Sequence, residues 1–204
     1  MLIKFLVNME EVPTGELARK LMYVIYYYLT LLVWNSLECK NEIVEYLPVI
    51  KRQLLFQVGA IDLLRELFDN NPGLLYNHTL FEEIVETVLN HIANKPVDFY
   101  SSKMLDMLRC TLYYNEKTIQ QNQIFLLSKL QEYGKLLVFR VEDLNLRRLI
   151  QEFDAGYKDC FHTLELEMSP QLALTVTLFN LLGILIEDNN KINVGKCTQI
   201  HPFY

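Results

Sequence analysis

The sequence predicts an all-α fold, an armadillo-like helical solenoid in which stacked helices form an α-α superhelix. Three observations lead there. Apolar residues recur at helical spacing along the chain, and helix-boundary signals sit at the ends of the periodic stretches. The third is a repeat: Asn-x-Ile follows an apolar helix at Asn41, Asn122 and Asn190, with spacings of 81 and 68 residues. Those spacings are near two armadillo-type units of about 40–47 residues each. Seven glycines and six prolines in 204 residues argue against a turn-rich sandwich.

Taken in order, residues 1–48 read as a leading helix pair and residues 49–204 as the main helical domain, packed continuously with it. No Pro/Ser-rich linker or block of charge separates them, so a single domain is expected. Leu21–Trp34 and Leu172–Ile186 are apolar on all sides, the pattern of helices enclosed by others. Gly59 permits a tight corner before an amphipathic helix that begins at Ala60, with apolar positions 60, 61, 63, 64, 67 and 68. Asp69-Asn70-Asn71-Pro72-Gly73 is a turn. Positions 80, 81, 84, 85, 88, 89 and 92 form the next stripe, with Thr79–Glu82 as its expected capping box. Met104, Leu105, Met107, Leu108 and Leu112 form another, and Thr118–Gln121 is a second capping box. Residues 134–141 fit a strand, a buried loop or a helix turn equally well. Ser169-Pro170 supplies an N-cap and a first-turn proline for the last apolar helix.

Function classes narrow next. A chain of net charge −6 with no basic stripe is unsuited to phosphate backbones, so no nucleic acid partner is expected. The two apolar runs have 14 and 15 residues, short of the ~20 that a membrane span requires. The N-terminus has a single Lys, two acids and Pro13 and does not resemble a signal peptide. Cys39, Cys110, Cys160 and Cys197 are widely spaced and read as reduced structural thiols.

No constellation for chemistry emerges. His78 and His91 are too far apart for a ligand pair, and His162 and His201 are isolated. Asp188-Asn189-Asn190 starts like a calcium loop but lacks its glycine and closing Glu. Glu165 and Glu167 would point to different sides of a helix. Phosphate-loop, dinucleotide and nucleophile-elbow motifs are absent. Tyr23, Tyr26, Tyr27, Tyr28 and Trp34 form an aromatic cluster, expected to pack against adjacent helices. The expectation is a protein that is not an enzyme, with no catalytic, cofactor or metal residues.

Three ordered segments add a resemblance. Lys51-Arg52-Gln53-Leu54-Leu55-Phe56-Gln57-Val58-Gly59-Ala60 comes first, then Gly134–Phe139 with Leu149-Ile150, then Ser169-Pro170 leading to Asn190-Lys191, Lys196-Cys197 and Pro202. Together they resemble the ryanodine and inositol trisphosphate receptor homology (RIH) domain, in particular the second such domain of inositol trisphosphate receptors. The resemblance spans about three quarters of the chain. It departs at His201-Pro202, where the family usually has an apolar residue before the proline.

The resemblance implies a cytosolic scaffold domain of a tetrameric calcium-release channel at the endoplasmic reticulum. Such a domain relays conformational change from ligand-binding modules to the pore, with the channel's other domains or subunits as partners. No ligand or calcium residue transfers to a numbered position. The alternative is a free-standing armadillo-like adaptor whose groove holds a peptide or protein partner. A third reading embeds Leu21–Trp34 in a membrane surface.

Overall fold

The structure, a computed structural model, describes residues 2–9, 13–34, 36–115, 117–137 and 170–186. Ten α-helices are described. The first five are α1 (Leu2–Val7), α2 (Glu16–Val33), α3 (Leu37–Val44), α4 (Leu47–Gln53) and α5 (Ala60–Phe68). A 3-10 turn, Leu54–Phe56, joins α4 to the corner before α5. Then come α6 (Pro72–Leu75), α7 (His78–Asn94), α8 (Phe99–Cys110), α9 (Gln120–Leu137) and α10 (Pro170–Ile186). A short antiparallel hairpin, β1 (Tyr113–Tyr114) with β2 (Lys117–Thr118), lies between α8 and α9. Asn115 has φ 49, the left-handed conformation that a two-residue hairpin loop favours. The all-α class holds.

The chain divides into two compact units: residues 1–87 with 107–123, and residues 88–106 with 124–204. Residue 48 falls inside α4. Among the described residues up to 48 lie α1, α2, α3 and the start of α4.

In the first unit, α2 packs chiefly against α5. All six apolar positions of the α5 stripe are buried. Gly59 precedes α5 with φ +91, and a Cβ there would stand 3.2 Å from the Tyr26 Cβ. Two physical demands thus meet at that glycine: a left-handed backbone and a close approach of α2.

Buried Gln53 ties three elements together. Its amide accepts from the Tyr26 hydroxyl at 2.7 Å and donates to the carbonyls of Leu6 and Met9, each at 2.7 Å. Buried Lys40 donates to the Asp69 carbonyl at 2.5 Å, which places a cation at the C-terminal end of α5 where the helix dipole is negative. Lys51 pairs with Glu83, joining α4 to α7. Buried Asn122 donates to Leu75 and Thr111, at 3.1 and 2.8 Å, and so anchors the start of α9 to the ends of α6 and α8.

In the second unit, the Tyr133 hydroxyl donates to the Asn90 side-chain oxygen at 2.7 Å. Asp98 and Ser101 cap the start of α8 reciprocally: the Ser101 N–H donates to the Asp98 carboxylate at 2.8 Å, and the Asp98 N–H to the Ser101 hydroxyl at 3.4 Å.

Two helix starts differ from expectation. The Asn77 side-chain oxygen accepts from the Leu80 N–H, so Asn77 caps α7 and Thr79 sits inside its first turn. Thr118 is taken by β2, and α9 starts at Gln120. Pro170 is the first residue of α10, as its type favours. Residues 134–137 continue α9, while 138–141 lie outside the described residues.

The Asn-x-Ile copies are not equivalent. Asn41 is an exposed residue within α3, Asn122 is buried at the start of α9, and Asn190 lies outside the described residues.

Candidate docking face

Helix α2 has two apolar sides. At 3.6 residues per turn, Met22, Ile25, Tyr26, Leu29 and Val33 fall on one side, and all are buried. Leu17, Leu21, Val24, Tyr28 and Leu31 fall on the opposite side, spaced alternately by four and three residues. Their exposures are 82, 43, 45, 54 and 45%. Exposed Tyr27 and Leu32 flank this outer seam, and exposed Trp34 stands at the helix C-cap.

The expectation that Leu21–Trp34 is enclosed therefore requires correction. It is a helix, but the unit covers only one of its sides. The aromatic cluster is corrected with it: Tyr26 alone is buried, while Tyr23, Tyr27, Tyr28 and Trp34 meet solvent. Tyrosine and tryptophan tolerate this better than leucine because each carries a polar atom that water satisfies. Even so, a contiguous apolar patch beyond a few hundred Å² marks an interaction site in soluble proteins.

Charge is confined to the N-terminal end of α2. Lys20 pairs with Glu16 at 2.6 Å along the helix, and Arg19 donates to the Phe56 carbonyl at 3.3 Å. Beside the seam, an open groove of about 610 Å³ runs between α1, α2 and α3. Ile3, Leu32, Ile43 and Tyr46 supply its apolar wall, and exposed Glu42 and Glu45 also border it. Leu32 belongs to both features, so groove and seam are continuous.

The residues singled out for chemistry do not converge. His78 opens α7, and His91 lies in the last turn of the same helix. Partial burial lowers the His91 pKa below 6.5, Asp98 opposes that effect, and Lys95 adds to it. Cys39 and Cys110 are half-buried thiols. Among the described residues, no three of His, Cys, Asp and Glu gather as metal ligands would. His162, His201, Glu165, Glu167, Asp188–Asn190, Cys160 and Cys197 lie outside the described residues. No described helix is long and apolar enough to cross a membrane.

The outer seam escaped the sequence reading because an apolar run suggests enclosure. A signal was present: the four-three alternation begins at Leu17, ahead of the run, and adds a second seam to the inner one. No protein-family model, curated protein or solved structure matches this chain.

Proposed function

We propose that the chain is a non-catalytic helical scaffold whose work is protein–protein contact through the outer face of α2. The exposed seam from Leu17 to Leu31 carries this reading. Burial of apolar surface is worth roughly 25 cal/mol per Å², so covering the seam drives association without any reacting group. Leu31→Glu and Tyr28→Glu test it. Both variants keep the helical circular dichroism and thermal midpoint of the parent, and both lose the proteins that the parent chain captures. An unchanged set of captured proteins sinks the reading.

A second reading places this scaffold in a calcium-release channel, as an RIH-like domain at the cytoplasmic face of the endoplasmic reticulum. Its support is the Lys51–Ala60 segment. The residues that carry the resemblance include Gln53, which ties α1 and α2 to α4, and Gly59, where α2 meets the corner before α5. A stiff corner of that kind suits a lever that passes conformational change between domains and subunits of a tetramer. Co-fractionation with endoplasmic-reticulum membranes and channel subunits favours this reading. Recovery only with a soluble partner favours the armadillo-like adaptor.

A further inference from the structure

We infer that the groove between α1, α2 and α3 takes a basic amphipathic segment of a partner protein. Its apolar side chains enter the groove, and its Lys or Arg side chains stand against Glu42 and Glu45. The inference rests on the reading of α2 as a docking surface, because Leu32 belongs to both groove and seam, and it states the chemistry of the occupant.

Shape supplies the apolar half of the argument. At about 610 Å³ the groove has the size of a binding cleft, and Ile3, Leu29, Leu32 and Ile43 make it apolar. Exposed Leu31 and Tyr28 extend the apolar surface beyond it along α2, further than a small amine would cover.

Charge supplies the other half. Glu42 and Glu45 lie at the C-terminal end of α3, where the helix dipole is already negative, and no basic residue occupies its last turn. Glu38, one turn earlier, shares their side by its spacing, and all three are exposed. Like charges one turn apart repel. The cation that α3 does carry, Lys40, is buried and donates to the Asp69 carbonyl. Among the described residues, no ion pair holds any of the three glutamates, and the described lining of the groove includes no Lys, Arg or His. The free chain therefore concedes stability at this helix end, and a bound cation recovers it. Tyr46, also in the lining, adds an aromatic ring that attracts Lys and Arg. The aliphatic stems of those side chains suit the apolar wall. An acidic or neutral segment would leave the carboxylates uncompensated.

Fluorescence anisotropy with the full chain tests the inference. The probes are a synthetic Leu/Lys amphipathic peptide of about 14 residues, roughly four helical turns, and a Leu/Glu peptide of the same pattern. The expected result is at least about tenfold tighter binding of the Leu/Lys peptide, lost when Glu42→Gln and Glu45→Gln are combined. Leu32→Asn weakens that peptide comparably, whereas Glu82→Gln with Glu86→Gln on α7 changes its affinity by less than about twofold. Without peptide, the Glu42→Gln/Glu45→Gln chain melts about 2 °C above the parent. Equal binding of the two peptides, equal losses from the α3 and α7 pairs, or a lowered midpoint in the α3 variant overturns the inference. So does indifference to Leu32→Asn, which marks charge attraction alone. Self-association, or flotation with phosphatidylcholine vesicles, that Leu32→Asn abolishes assigns the groove to a second copy or to lipid and overturns it as well. If Leu31→Glu releases the proteins that the parent chain captures but neutralising Glu42 and Glu45 does not, the basic partner falls and the docking reading stands. If neither change releases them, both fall.

Discussion

Helices α2 and α10 carry the longest apolar runs of the chain, and they meet water in opposite ways. On α10 the leucines at 174, 178, 181, 182 and 185 are buried, and the exposed positions among its described side chains are Asn180 and Gly183. Among its described side chains, the fully exposed positions are thus residues that lose little in water. On α2 the exposed positions include Leu17, Leu21, Val24 and Leu31 together with three tyrosines. A helix selected only to fill a core has no reason to keep aliphatic residues on its wet side. The difference teaches that a uniformly apolar helix serves either of two ends, a core or an interface, and that the residues left outside tell which.

Placing a carboxylate on each helix breaks or upholds this comparison most directly. Leu182→Glu buries an uncompensated charge and is expected to cost about 4 kcal/mol or more, abolishing cooperative unfolding of its unit in thermal circular dichroism. Toleration of that change with no loss of midpoint defeats the contrast.

The two sides of α2 provide the next test. Met22→Ala removes a buried side chain and should lower stability by about 3 kcal/mol in denaturant titration. Leu31→Ala should change the monomer's stability by less than about 0.5 kcal/mol while weakening association. Equal losses at the two positions contradict a solvent-facing outer seam.

A smaller effect concerns how the inner side is seated. Gly59→Ala introduces a Cβ 3.2 Å from Tyr26 at φ +91, and should cost about 1–2 kcal/mol through backbone strain and displacement of α2. A neutral outcome in the same titration means the corner does not constrain α2.

The smallest effect separates the units by pH. His91 belongs to the unit that holds α10, and burial disfavours its imidazolium. With the folded pKa below 6.5, the unfolded chain binds the proton first, so stability falls as pH drops from 6.5 toward the folded value and is unaffected above. His91→Gln should flatten that decline modestly in thermal scans across the acidic range. An unchanged slope removes His91 from the account.

Much of the helical framework was legible in residue order. The α5 stripe needed only its spacing to be recognised, and Gly59 announced the corner before it. Helix starts were less legible, because competing oxygens lie close together: Asn77, two residues before Thr79, reaches the Leu80 N–H and moves the start of α7. Repeats misled more. One tripeptide sits exposed at Asn41 and buried at Asn122, where distant carbonyls from α6 and α8 recruit it. The docking face was half legible: its heptad spacing was there to be read, but its exposure was not.

Sequence alone determined that this chain is helical, because a hydrophobic period near 3.6 and local caps act within a few neighbouring residues. Only the tertiary structure decided which side of α2 enters the core. Both sides are apolar enough to do so, and the choice depends on residues far along the chain: α5 packs along α2, Gly59 receives Tyr26, and Gln53 receives the Tyr26 hydroxyl. Local pattern states what a surface prefers, whereas long-range packing settles how much of that preference one chain satisfies.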